Sequence, residues 1–185
     1  MKNNLHVEIS KCKQTGRFRI HLGNTEWIYF ENKTAAIKYV YGLKKLVKDC
    51  LYMLSSVQSE LYRNYQNIWI SLSGFDNRKM NEKLVFFDER KTYVFSDFSS
   101  GNTVFALQNL ERCFVIVEET ALSQRDWAQK NKETSLKNSI YAQLRLIDTV
   151  FKDFEKEKLN LEISLKARGK KFQIVKRLNT NYNAS

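Results

Sequence analysis

The residues best suited to chemistry in this chain are cations spaced two apart. Arg17, Arg19 and His21 alternate with Phe18, Ile20 and Leu22. In an extended strand successive side chains point to opposite faces, so the three cations share the wet face and the three apolar residues share the other. Cations on a sheet face can hold phosphates, and neighbouring aromatic rings can stack on bases. Candidate rings are Trp27, Tyr29, Trp69, Phe87 and Tyr93. A second cationic set, Lys166, Arg168, Lys170 and Lys171, lies near the other end. Between them, Lys45 and Lys48 fall with Lys38, Tyr41 and Tyr52 on one stripe at helical spacing, able to track a phosphate backbone or simply to face solvent.

Catalysis finds little to work with. His6 and His21 are the only histidines, and no cysteine or carboxylate cluster joins them at ligand spacing, so no metal is expected. The chain has no Gly-x-Ser-x-Gly nucleophile elbow, no Gly-x-x-x-x-Gly-Lys phosphate loop and no Gly-x-Gly-x-x-Gly fingerprint. The acidic pairs Asp88-Glu89 and Glu118-Glu119 are adjacent residues at expected strand ends, where side chains point apart. A nuclease built on Asp88 or Glu118 has no further support. The reading is non-enzymatic, with no cofactor.

Charge points the same way. The chain of 185 residues carries a net +11. Residues 1–48 hold ten Lys+Arg against three Asp+Glu, and residues 156–177 hold eight against two, while residues 49–155 are slightly acidic. Codon bias toward lysine would spread charge evenly; charge gathered at two ends is the footprint of a polyanionic partner. Three distant cysteines, Cys12, Cys50 and Cys113, form no pair motif and suit a reducing compartment. With no apolar run of membrane-spanning length and no signal-peptide core, the expected location is cytoplasmic, away from a membrane.

The elements that must position these residues follow from periodicity. Residues 4–12, 17–23 and 27–30 alternate and predict a three-stranded antiparallel meander. Residues 33–65 predict a long helix: Ala36, Val40, Leu43, Val47, Cys50, Leu54, Val57 and Leu61 step by four and three without a break. Strands are expected at 67–73, 84–87, 92–95, 103–107 and 112–118. Residues 134–157 predict a second helix with Leu136, Ile140, Leu144, Ile147, Phe151 and Phe154 on its buried stripe.

The two ends also repeat each other. Leu5-His6-Val7-Glu8-Ile9-Ser10 with Arg17-Phe18-Arg19-Ile20 matches Leu159-Asn160-Leu161-Glu162-Ile163-Ser164 with Lys171-Phe172-Gln173-Ile174 at a constant offset of 154. Read as strands, both are hairpins around Gly16 and Gly169, which suggests a duplicated unit with a duplicated binding face. Glu8-Ile9-Ser10 to Gly16-Arg17-Phe18-Arg19-Ile20, followed by a further strand and the long helix, resembles a PUR-alpha-type repeat. The layout is similar to Whirly-type proteins as well. The resemblance covers about 60 residues and implies single-stranded DNA or RNA binding on a curved sheet, with helices that pack or dimerise. The chain departs from both families in showing three strands before its helix and a shifted glycine in Gly169-Lys170-Lys171-Phe172.

The expected fold is therefore α+β: antiparallel sheets with two long helices in duplicated sheet-plus-helix units. The first unit spans 1–66, the second 67–158, a C-terminal hairpin 159–178 and a tail 179–185, all in one compact domain. The expected function is binding of single-stranded nucleic acid by an intracellular homo-oligomer such as a dimer. The alternative is a structural or assembly subunit, of a phage particle or large complex, that uses the heptad helix as a protein interface.

Overall fold

A computed structural model describes residues 9–22, 27–71 and 77–166, apart from the side chains of 67–71 and 77–80. The chain begins with strands β1 (Ser10–Lys11), β2 (Phe18–His21) and β3 (Trp27–Phe30). Four helices follow: α1 (Lys33–Ser71), α2 (Asn77–Ser100), α3 (Thr103–Lys130) and α4 (Thr134–Leu165).

The meander forms as expected. Strand order is β1-β2-β3, both pairs antiparallel, with Ser10 opposite Arg19, Phe18 opposite Phe30, Arg19 opposite Tyr29 and His21 opposite Trp27. The turn from β1 to β2 is closed by Cys12 N–H donating to Arg17 O at 2.8 Å and Gly16 N–H to Cys12 O at 2.9 Å. Gly16 has a φ of 68°, a left-handed conformation that costs other residues about 1–2 kcal/mol.

Helix α1 contains the predicted 33–65 segment and extends to Ser71. Asn32 caps it: its side-chain oxygen accepts from Ala35 N–H at 2.8 Å. All eight members of the heptad stripe, from Ala36 to Leu61, are buried.

The rest of the chain corrects the α+β expectation. The residues expected as strands at 84–87, 92–95, 103–107 and 112–118 lie in α2 and α3, the stretch 67–71 continues α1, and 159–165 ends α4. Among the described residues there is one small sheet and four helices, in place of two sheet-plus-helix units with two long helices. The physical reason is the period of burial. On α2 the buried residues are Phe87, Val94 and Phe98; on α3 they include Thr103, Ala106, Leu110, Cys113, Val117, Thr120 and Gln124, stepping by three and four. That stripe packs as a helix whatever the β-propensity of its individual valines and phenylalanines, because propensity is weaker than core burial.

Cross-helix contacts give the topology. Lys83 on α2 meets Ser123 on α3, and Asp97 on α2 accepts from Asn109 on α3, so α2 and α3 run antiparallel. On α1 and α4, Tyr39 donates to Glu162 at 3.2 Å and Glu60 accepts from Gln143, again antiparallel. Gln124 on α3 donates to Leu61 O of α1 at 2.6 Å, while the Cys50 thiol of α1 lies near that of Cys113 on α3, so those two helices are parallel. The result is an up-down-up-down bundle with α1 and α3 pointing one way. Phe30 and Ile20 on the sheet's inner face join the bundle core, with the Phe30 ring 5.4 Å from that of Tyr39.

Candidate nucleic-acid interface

The outer face of the sheet is built by register. Because His21 pairs with Trp27 and Arg19 with Tyr29, all four side chains lie on one face, and Arg19 reaches Trp27 along the diagonal. The Arg19 guanidinium sits 4.1 Å over the Trp27 ring, and the His21 ring lies 4.8 Å from it. Arg19 Nε also donates to Ser10 Oγ at 3.0 Å, which ties all three strands together. Trp27 is 38% exposed. A guanidinium held over an indole by a fixed hydrogen bond is a pre-positioned cation beside a stacking surface.

Arg17 stands just before β2, half-buried, with Nη1 shielded from solvent and without a hydrogen-bond partner. Lys45 and Lys48 are exposed on α1, between Tyr41 at 50% and Tyr52 at 76% exposure. Among the described residues, none of Arg19, Lys45 and Lys48 is paired with a carboxylate. Lys166 is the C-cap of α4, its N–H donating to Glu162 O, so it belongs to a helix end rather than a hairpin face. Trp69 lies in α1, with its side chain outside the described residues, as are Arg168, Lys170 and Lys171. Of the other candidate rings, Phe87 is buried in the core, Tyr93 is exposed on α2 under Arg90, and Tyr29 is half-buried opposite Arg19.

The structure thus brings Arg19, His21 and Trp27 together and sets Lys45 and Lys48 on a separate helical stripe. It also adds residues that the strand pattern does not reach. A cavity of about 390 Å³ opens where the sheet meets the start of α3, lined by Ser10, His21 and Trp27 on one side and by Asn102 and Thr103 on the other. The Gly101-Asn102 turn is recognisable in the sequence; its arrival beside a strand some eighty positions earlier is a property of the bundle.

The titratable groups of the bundle interior are structural. Burial pushes the thiols of Cys50 and Cys113 up to about 12. Burial and the neighbouring Glu162 carboxylate raise Tyr39 above the usual phenol range. Cys12, at the β1–β2 turn, is lowered by the Thr15 hydroxyl. Among the described residues no cluster of three or more His, Cys, Asp or Glu is placed to hold a metal ion, and no helix is long and apolar enough to cross a membrane. No family model, no curated protein and no solved structure matches this chain.

Proposed function

We propose that the protein binds single-stranded nucleic acid without catalysis, through the outer face of the N-terminal sheet and the lysine–tyrosine stripe of α1. The observation that carries this reading is the pairing of exposed rings with cations that have no carboxylate partner among the described residues. Arg19 lies over Trp27, and Lys45 and Lys48 lie between Tyr41 and Tyr52. Phosphates would take the cations and bases the rings, an arrangement that tolerates many sequences. The segment resembling a PUR-alpha-type repeat coincides with β1, β2, β3 and α1, which adds support for this end of the molecule. The acidic balance of residues 49–155 supports a one-sided electrostatic footprint.

The test is fluorescence anisotropy of a labelled single-stranded 12-mer titrated at two salt concentrations. Affinity is expected to fall steeply with salt, with a slope of about 0.7 per neutralised phosphate. The triple variant Arg19→Glu, Lys45→Glu, Lys48→Glu should lose binding while keeping its helical circular dichroism. Unchanged affinity in that variant sinks the proposed surface.

The assembly-subunit reading loses its proposed contact, because the heptad stripe of α1 is buried inside this chain's own bundle. What remains for it are exposed apolar residues such as Val85, Phe86, Leu159 and Ile163.

A further inference from the structure

Near the sheet, α3 and α4 separate and leave an apolar surface between them. A cavity of about 420 Å³ lies there, far larger than the roughly 30 Å³ of one water. Its apolar walls include Leu107, Leu110 and Phe114 of α3 with Phe151 and Phe154 of α4. The Phe151 side chain is 47% exposed, and Leu159, further along α4, is 55% exposed. Large apolar side chains left half in water beside a concave site mark a docking surface.

The polar lining of this cavity is Gln108, Glu111, Glu155 and Lys158. Glu155 pairs with Lys158 at 3.8 Å, and Glu111 has no cationic partner among the described residues, so the rim is acidic on balance. A matching occupant sets apolar side chains among several cations. Residues 167–185, outside the described residues, have that composition: Phe172, Ile174, Val175 and Leu178 stand among Arg168, Lys170, Lys171, Lys176 and Arg177, with no carboxylate. The other stretches outside the described residues do not. Residues 23–26 have neither a large apolar side chain nor a cation, residues 72–76 have no cation, and residues 1–8 offset Lys2 with Glu8. The tether is long enough. From Lys166 back to Lys158 the helix rises about 12 Å, and from Lys166 on to Phe172 an extended chain spans up to about 20 Å.

We propose that the basic C-terminal segment folds back onto its own chain, with Phe172 in the α3–α4 cavity and the neighbouring Lys170 and Lys171 beside the carboxylates of Glu111 and Glu155. Burial of the ring supplies the attraction, and the charges select this segment and its direction. Tethering to the end of α4 keeps the segment at a high effective concentration, so a weak contact is enough to hold it. The proposal is independent of nucleic-acid binding and gives the C-terminal cations a partner within this chain.

The test places a photoreactive benzoylphenylalanine at position 172 of the full chain and irradiates it in dilute solution. Mass spectrometry of the monomer should find it joined to residues 107–114 or 151–158. Glu111→Lys with Glu155→Lys should lower that yield about tenfold, because two modest attractions become repulsions. Adding Lys170→Glu and Lys171→Glu to the reversed rim should restore the yield, which a misfolded groove would not do. Both rim residues are exposed, and unchanged helical circular dichroism shows that the variants are folded. Crosslinks to other surfaces, or none at all, overturn the proposal. A yield unchanged by charge reversal overturns it as well. Crosslinks joining two copies through the same groove assign the cavity to a second molecule's segment and overturn docking within one chain. Each of these outcomes leaves the nucleic-acid reading to its own anisotropy test.

Discussion

The same six-residue pattern, Leu-x-apolar-Glu-Ile-Ser, stands at Leu5–Ser10 and at Leu159–Ser164, and the described part of the first copy, Ile9 and Ser10, differs in structure from the second. In the first, Ser10 enters β1 and hydrogen-bonds Arg19 across the sheet. In the second, all six residues lie inside α4. The flanks explain the difference. The second copy follows Phe154-Glu155-Lys156-Glu157-Lys158, already helical, so each further residue extends an existing helix without a new nucleation cost. The first is followed by a turn whose Gly16 supplies a positive φ and closes a hairpin. Burial then fixes the helical choice of the second copy. Helical spacing turns Leu161 and Glu162 toward α1, against Gly42 and Tyr39, and leaves Leu159 and Ile163 about half exposed. A strand would have put Leu159, Leu161 and Ile163 on one face. The lesson is that a short alternating pattern states which residues are apolar, while the neighbouring turn or helix decides which period is used.

The contrast can be broken from either side. The largest effect is expected from Phe30→Ala, which removes the fully buried anchor of the sheet on α1; unfolding free energy should drop by about 3–5 kcal/mol in urea. A drop under 1 kcal/mol would mean that the hairpin end is not anchored there. Next is Leu161→Pro, which breaks the end of α4 and its contact with α1. About 3 kcal/mol or more should be lost, with reduced helical circular dichroism. Retained helicity would show that the second copy does not need its helix.

A third test separates the two regions by their thiols. The core pair Cys50 and Cys113 keeps its protons to about 12 when folded, against an ordinary value of 9.0. The folded state therefore binds more protons than the unfolded one between those values. Stability is intact below pH 9 and falls as the pH rises, by about 1.4 kcal/mol per thiol at pH 10. Urea melts at pH 8 and 10 should show this fall, reduced in the Cys50→Ala, Cys113→Ala variant. In the folded protein at pH 8, Cys12 should be alkylated before either core thiol, as read by mass spectrometry. Smaller still is Gly16→Ala, at about 1–2 kcal/mol from its positive φ. Gly42→Ala should come out near zero: the new methyl would stand 2.8 Å from the Leu161 Cδ2, a crowding of about 1 kcal/mol that the gain in helix propensity offsets.

Where strong apolar residues carried the period, the sequence was readable. The α1 stripe from Ala36 to Leu61 and the alternation from Phe18 to Phe30 both specify their elements. The α3 stripe has the same four-and-three step but passes through Thr103, Ala106, Thr120 and Gln124, small or polar residues that hide it beside the run Phe114-Val115-Ile116-Val117. On α2 the step from Phe87 to Val94 passes through Lys91, whose ammonium lies over the Phe87 ring at 5.6 Å. Gly101 was a better guide than the strand runs: with a φ of 84°, it stands between α2 and α3. For the candidate site, the face shared by Arg19 and His21 was legible from alternation alone. Its partnership with Asn102 was not, because only the antiparallel return of α2 carries that turn back to the sheet.

The pairing of α1 with α4 bears on how the chain is made. During synthesis α2 and α3 can zip together as soon as both have emerged, since they are neighbours in the sequence. The flank of α1 that holds Tyr39 and Gly42 has no such luxury: its partners Glu162 and Leu161 lie some 120 residues downstream. At a translation speed of about 5–20 residues per second, that flank waits roughly 6–25 seconds on the ribosome before it can be covered. Over that interval the flank of the first helix that α4 later covers stays exposed on the nascent protein.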